Sequence, residues 1–312
     1  MFANQRLVGD ATELDTTVVA KRKTENQQTE FLNGIEKAVE PAAIKSPFLK
    51  WAGRKTSIIG PIKELLPTKA RCFVEPFIGS GAVFLNTEYP VNLLADSNVD
   101  VINICKILKS NGEEFIKRSR KMFVPENNQE TRFYELRDEF NAASDLERRA
   151  ELFIYLNRHC FNGLCRYNKS GKFNVPFGRY SSPYFPAFEM AQFAEKLSTA
   201  EVVAQDFRLT IARAGKGDVV YCDPPYVPLT KTASFTDYAT GGFGPNDQKE
   251  LVACCVEAAG RGATVVISNH DTPETRELYK DSKTIIPLLV QRMISCDGAN
   301  RNKAKELLAV FN

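Results

Sequence analysis

An aspartate, two prolines and a tyrosine close a short apolar run, Asp218-Val219-Val220-Tyr221-Cys222-Asp223-Pro224-Pro225-Tyr226. Average residue usage makes Asp-Pro-Pro-Tyr roughly a one-in-a-thousand coincidence in a chain of 312 residues. The Asp223 carboxylate can accept one hydrogen of an exocyclic amine. The Pro224 carbonyl, with no N–H on Pro225 beside it, can accept the other. The nitrogen lone pair is then free to face an electrophile. Tyr226 can stack on the planar ring that carries the amine. An adenine in a duplex would have to leave its pair to enter, which costs a few kcal/mol. The plainer alternative is a proline-rich strand exit.

Three further groupings could bind a ligand. Gly79 and Gly81, in Pro76-Phe77-Ile78-Gly79-Ser80-Gly81, let the backbone pass close under a ligand where a Cβ would clash. Asp96 stands about fifteen residues on, where an acid accepts hydrogen bonds from ribose hydroxyls. The third glycine of the dinucleotide fingerprint is missing, and a lone G-x-G fits a plain tight turn equally well; Asp96 at the strand end tips the reading to an adenosine-type ligand. The segment Pro47-Phe48-Leu49-Lys50-Trp51-Ala52-Gly53-Arg54-Lys55 holds the sole tryptophan of the chain. It reads either as an entry loop whose Trp51 fills the core or as a lid whose Lys55 meets a carboxylate. Between residues 148 and 182 the cations are Arg148, Arg149, Arg158, Arg166, Lys169, Lys172 and Arg179, against the single acid Glu151. Phe161, Tyr167, Phe173, Phe177 and Tyr180 are interleaved with Asn162 and Asn168. Arginine and asparagine can bond base edges, and cations neutralise phosphates, so nucleic acid is the expected partner. A solvated basic face would explain the charges but not the glycine, asparagine and aromatic character.

These residues need a sheet to position them. An apolar strand at 71–75, the glycine turn, a helix at 82–86 and a strand at 91–95 ending in Asp96 make the first half of a doubly wound nucleotide-binding sheet. Helical periodicity runs from 99 to 158, most clearly at 131–141 and 146–158. Residues 159–186 interrupt the pattern. Strands are expected at 201–204, 218–222 and 263–268, with a helix at 246–259. Segments 285–290 and 306–311 read as antiparallel edge strands, and Pro287 suits an edge or bulge. Asn269-His270-Asp271 follows the strand at 263–268, and His270 reads as a hydrogen-bonded structural residue.

Bulk composition sets limits. Hydrophobic content of 43%, charged content of 25% and a net charge of +3 describe an ordinary soluble protein, so any nucleic-acid signal must be local. The eight cysteines form no C-x2-C pair, and only His159 and His270 could supplement them, so no zinc site is expected. Buried reduced thiols are the reading instead. The N-terminus lacks a signal peptide's basic start and apolar stretch, and no apolar run is long enough to span a bilayer. The cytoplasm, in association with a bacterial-type nucleoid, is the expected location. Residues 1–44 are polar and unpatterned, and are expected to form a mobile arm with a short helix around 30–39, or else a partner-binding tail.

Taken together, several long blocks resemble the Dam-type DNA adenine-N6 methyltransferases. They are Phe48-Leu49-Lys50-Trp51-Ala52-Gly53, Val74-Glu75-Pro76-Phe77-Ile78-Gly79-Ser80-Gly81, Leu94-Ala95-Asp96, Tyr155-Leu156-Asn157-Arg158, Asn162-Gly163-Leu164-Cys165-Arg166-Tyr167-Asn168, Phe173-Asn174-Val175-Pro176-Phe177-Gly178-Arg179-Tyr180 and Asp223-Pro224-Pro225-Tyr226. The resemblance covers about residues 47–312. It implies an α/β, Rossmann-like methyltransferase sheet with an inserted, mainly helical DNA-recognition domain. The catalytic domain would comprise 45–110 and 195–312, and the recognition insertion 111–194. It also implies S-adenosyl-L-methionine as methyl donor and the N6 amine of a flipped adenine in double-stranded DNA, within GATC, as acceptor. The protein would work as a monomer in solution, with no metal and no membrane.

By that likeness Trp51, Lys55, Glu75, Phe77, Gly79, Gly81, Asp96 and Asp223 line the donor site, with Asp206 and Phe207 beside the donor's adenine ring. Asp223, Pro224, Pro225 and Tyr226 hold the flipped base. Lys50, Asn162, Leu164, Arg166, Asn168, Pro176, Arg179 and Tyr180 meet DNA, with Arg166 on a guanine and Asn162 and Tyr180 filling the vacated stack. The expected chemistry is direct in-line attack of the amine on the sulfonium methyl, with catalysis mostly by positioning and charge stabilisation. The chain departs from the family at Arg54, where a second glycine is usual, and in its N-terminal arm. The rival readings are a DNA-binding member weakened in catalysis and a methyltransferase acting on RNA or on a protein amide.

Overall fold

The computed structural model describes residues 43–227, 242–291 and 303–312. The short helix expected at 30–39, nearly all of the arm, and Cys296 lie outside them. Strands β1 (Phe73–Glu75), β2 (Asn92–Asp96), β3 (Ala200–Ala204), β4 (Val219–Cys222), β5 (Thr264–His270), β6 (Thr284–Gln291) and β7 (Lys303–Phe311) form one sheet in the order β3-β2-β1-β4-β5-β7-β6. The first five are parallel, and β7 runs antiparallel between β5 and β6. β1 and β4 are buried at every position, as apolar strands covered on both faces must be. Connections leave β1 and β4 in opposite directions, so a crevice opens beyond their carboxyl ends, where ligands bind in sheets of this kind. The chain therefore carries the α/β, Rossmann-like sheet that its sequence implies.

The sheet differs from expectation at two places. β7 is an inner strand rather than an edge, because Leu307, Leu308 and Ala309 are fully buried and suit a strand covered on both sides. β6 alone forms that edge and carries Pro287, while Leu289 remains exposed. Pairing with β7 also carries β5 on to His270, so Asn269 and His270 lie within the strand and not after it.

Helices α1 (Ile59–Leu65) and α2 (Ala82–Asn86) flank β1. Between β2 and β3 come α3 (Val99–Arg120), α4 (Glu130–Ala142), α5 (Leu146–His159) and α6 (Ala187–Lys196). Asn98 caps α3, its side chain accepting the N–H groups of Asp100 and Val101. A kink at Asn111, with φ −150°, interrupts α3 beside the expected domain boundary. The remaining helices are α7 (Phe207–Ala212), α8 (Pro245–Gly260) and α9 (Pro273–Leu278). One buried cluster joins the sheet to α3–α6 through Leu94, Ile104, Phe153, Tyr155 and Phe193.

Among the described residues no helix is long and apolar enough to cross a membrane. Cys105, Cys160, Cys165, Cys222 and Cys255 are buried free thiols, and Cys72 and Cys254 are half-buried.

Candidate active site

The sheet brings four acids to one edge. Glu75 ends β1, Asp96 ends β2, Asp206 follows β3 and Asp223 follows β4. Because β3, β2, β1 and β4 are adjacent and parallel, these side chains stand in neighbouring positions. Glu75 is buried, and one of its oxygens accepts the Phe84 N–H at 3.1 Å. Burial pushes its pKa well above the ordinary range, and the charges of Asp223 and Asp96 push the same way. Asp96 accepts the Gly79 N–H on Oδ2 and the Asn98 N–H on Oδ1, both at 2.9 Å. Burial raises its pKa, and these N–H groups partly offset the rise. Asp96 thus ties the glycine turn to the start of α3.

Both glycines of that turn have positive φ, +48° at Gly79 and +68° at Gly81. A Cβ at Gly79 would lie 2.7 Å from Trp51 Nε1, and one at Gly81 would lie 2.6 Å from the Phe193 ring. The space that the glycines leave is taken by two rings of the chain itself. Trp51 is half-buried and packs on the core while its ring covers Gly79, so features of both of its expected roles coexist. Phe77 stacks with Phe207 at 5.4 Å between centroids, and Phe243 closes the cluster. Asp206 caps α7 by accepting the Arg208 N–H at 2.8 Å.

Asp223 is the centre of the site. Its Oδ1 meets Lys55 Nζ at 2.9 Å and accepts the Ser268 hydroxyl at 2.9 Å. The Lys55 side chain is only 5% exposed, and its ammonium also donates to the Gly53 carbonyl at 2.6 Å. It lies 4.5 Å from the centre of the Tyr226 ring. The carboxylate that Lys55 meets is therefore that of Asp223. Burial raises the Asp223 pKa, while Lys55 and Ser268 pull it back. Among the described residues no donor bonds to Asp223 Oδ2 or to the Pro224 carbonyl, whereas Gln248 donates to the Pro225 carbonyl at 2.8 Å. Two acceptors next to a tyrosine are thus left for an incoming amine.

At Arg54, where the resemblance led to the expectation of a second glycine, φ is −51°, a conformation open to any residue. The positive φ of this loop falls on Gly53 instead, at +72°, so arginine at 54 strains nothing.

The expected nucleic-acid residues gather around α5 and the ribbon that follows it. Asn157 clamps Lys50 by accepting its N–H at 2.9 Å and donating to its carbonyl at 2.8 Å. Lys50 Nζ sits 4.1 Å above the Tyr180 ring, and Gly163 lies so close that a Cβ there would meet Lys50 carbons at 2.4 Å. Asn162 takes a positive φ of 53° next to that glycine. Bridges Cys160↔Phe177 and Tyr167↔Phe173 make the rest a narrow ribbon, and Pro176 accepts the Phe161 N–H at 2.8 Å. Asn168 shapes the ribbon's tip by accepting the N–H groups of Ser170 and Lys172. Arg166 is held by Asn174 at 2.8 Å, Leu164 packs on the core, and exposed Arg179 pairs with Glu130 at 3.2 Å.

Three cations of the basic segment are committed inside the protein. Arg149 forks onto Asp100 at 2.5 and 2.9 Å, and Arg148 bonds Glu139 and Glu151. Arg158 is buried against the Phe48 carbonyl, and its pKa is pushed down to about 10.

Sequence reasoning passed over Ser268, Gln248 and Glu306 and gave Asn269 no role, and all four lie around Asp223 to Val227. Asn269 accepts the Val227 N–H at 3.1 Å and donates to Gln248 at 3.3 Å and to the Tyr279 hydroxyl at 2.9 Å. Their signal was position. Ser268-Asn269-His270 ends the strand beside β4, at the carboxyl end of the sheet where the crevice opens.

A family model described as D12 class N6 adenine-specific DNA methyltransferase matches residues 51–294. Curated DNA adenine methylases of Salmonella typhi and Escherichia coli K12 are each 48% identical over 264 residues, 85% of this chain and 94% of theirs. The DNA adenine methylase of Vibrio cholerae is 48% identical over 265 residues, 85% of this chain and 95% of its own. With Asp223-Pro224-Pro225-Tyr226 at the switch point of the matched sheet, the chain belongs to the D12 class of N6 adenine-specific DNA methyltransferases.

Proposed function

We propose that the chain methylates the N6 amine of an adenine flipped out of duplex DNA, within GATC, using S-adenosylmethionine. The observation that carries this reading is the arrangement at Asp223. One oxygen is fixed by Lys55 and Ser268, no donor among the described residues engages the other or the Pro224 carbonyl, and the Lys55 ammonium links the carboxylate to the Tyr226 ring. That geometry suits an amine with two hydrogens on a flat ring.

The donor set also suits the proposed methyl donor. Glu75, Asp96, Asp206 and Asp223 stand at adjoining strand ends opposite one buried lysine, and Trp51, Phe77 and Phe207 offer flat apolar surfaces. A nucleoside carrying a positive charge fits such a cradle. S-adenosylmethionine, when bound, supplies a methyl group already activated by its sulfonium charge. The protein's work is then to orient and to exclude water. Asp223 and Pro224 aim the nitrogen lone pair, and Tyr226 holds the ring. Burial makes the Asp223 carboxylate a better proton acceptor than an exposed one.

The acceptor's carrier follows from the other half of the site. Lys50, Asn162 and Tyr180 form a cluster from which the vacated stack can be filled, and Arg166 is held ready for a base edge. Residues 111–194 would serve as the recognition unit. The GATC target rests on the likeness of the ribbon to the resembling family.

Adenine methylation sequenced in a methylase-free host expressing the chain tests the reading. Methyl groups at GATC are expected, and methylation at another sequence or at none would overturn the target or the activity. Asp223→Ala is expected to abolish methylation while DNA binding persists, and turnover close to the parent's would remove Asp223 from the mechanism.

A further inference from the structure

Tyr226 is gripped from a part of the chain far from its own motif. Its hydroxyl donates to Glu306 Oε2 at 3.0 Å, and the His270 ring meets its ring edge-on, with centroids 4.8 Å apart and planes at 76°. Glu306 and His270 are direct cross-strand partners of β7 and β5. Opposed residues of an antiparallel pair project from the same face, so this register brings both side chains to one ring. His270 is oriented in turn through Nδ1, 2.9 Å from the Val227 carbonyl. Asn269 holds the N–H of the same residue, Val227.

We propose that Glu306 is a positioning residue for methyl transfer, anchoring the Tyr226 hydroxyl so that the ring stands ready to stack on the flipped adenine, with His270 fixing the ring's plane. This rests on the reading of Tyr226 as the stacking surface given above. A phenol ring turns about two bonds: the bond to its hydroxyl oxygen, which lies on the Cβ–Cγ axis, restrains the first, and the edge-on His270 ring restrains rotation about the second. A phenol bonded to a carboxylate makes a charge-assisted bond, roughly twice as strong as a neutral one. Among the described residues no ion pair engages Glu306, so the phenol is what its carboxylate serves. Stacking on an aromatic ring helps to hold a base that has left its own stack. A ring that must first be ordered loses part of that contribution. The C-terminal strand pair thereby becomes part of the base pocket.

The test uses the full chain and a duplex with 2-aminopurine in place of the target adenine, whose fluorescence rises when the base leaves the stack. Glu306→Leu is expected to reduce that rise and to slow single-turnover methylation of the ordinary duplex by roughly tenfold, the loss of one charged hydrogen bond. Glu306→Gln, which can still accept the phenol, is expected to keep most of both. Tyr226→Phe should match Glu306→Leu, and the double variant should be no worse than either single, since all three lack the same bond. If Glu306→Leu fails to fold, Tyr226→Phe against Glu306→Gln makes the same comparison. A full fluorescence rise in Glu306→Leu overturns the proposal. So do losses that multiply in the double variant, or equal losses in Leu and Gln together with lowered melting. No rise in the parent protein overturns base flipping itself, and the proposal with it.

Discussion

At Asp223 the protein balances two opposing effects on one carboxylate. Burial disfavours its charge, while Lys55 at 2.9 Å and the Ser268 hydroxyl favour it. Gripping an amine needs the ionised form, because a protonated acid would present a donor to a donor. Methylation should therefore fall as pH drops through the Asp223 pKa, which lies above the ordinary carboxylate value. Removing the ammonium with Lys55→Met takes away the pull downward, so the acid limb of the rate profile should move to higher pH. Ser268→Ala should move it the same way. Single-turnover rates across pH check this, and a limb that Lys55→Met leaves in place would assign it to another group. The chemistry of Asp223 was legible in four consecutive residues. Lys55 was expected to meet a carboxylate, but that this carboxylate is Asp223, and that Ser268 joins it, was not legible, because the three come from separate stretches that only the sheet brings together.

The ribbon after α5 shows how an element can depend on one missing side chain. Gly163 has φ +63°, and a Cβ there would come within 2.4 Å of two Lys50 carbons. Gly163→Ala should push the Lys50 side chain off the Tyr180 ring. We expect duplex DNA to bind roughly tenfold more weakly, with the salt dependence shallower by about one charge if Lys50 meets a phosphate. Binding of the methyl donor should be unchanged. Fluorescence anisotropy over a salt series measures both, and an unaltered slope would separate Lys50 from the phosphates. At this scale the sequence revealed runs and their ends. β1, α2, β2 and β4 were legible because apolar stretches stop at glycine, proline or acid. The place of β7 inside the sheet was not, since strand order is set by pairing between distant segments. Nor could counting charges show that Arg149 is spent on Asp100, 49 residues away, or that Arg148 is spent on Glu139.

Across the whole molecule, the parallel sheet gathers its acids at one edge, and the fold must tolerate their mutual repulsion. Glu75 bears most of it. It is buried, receives a single N–H from Phe84, and has Asp96 and Asp223 nearby, so its folded pKa lies well above its ordinary value of 4.5. Below about pH 4.5 the side chain is protonated in both folded and unfolded chains, and its titration carries no penalty. As pH rises through the ordinary range the unfolded chain releases this proton and the folded one keeps it. Stability therefore declines with pH until the raised folded pKa is passed. Glu75→Gln retains an oxygen for the Phe84 N–H and has no charge to bury. It should melt with the parent protein near pH 4.5 and above it at about pH 8, the gap widening between the two. Thermal melts of both proteins over that range decide the matter. A gap that stays constant would mean that Glu75 does not titrate in this way, and that the acid edge is less strained than its burial implies. A widening gap would mean that the fold accepts lower stability in order to keep a carboxylate where a positively charged methyl donor is proposed to bind.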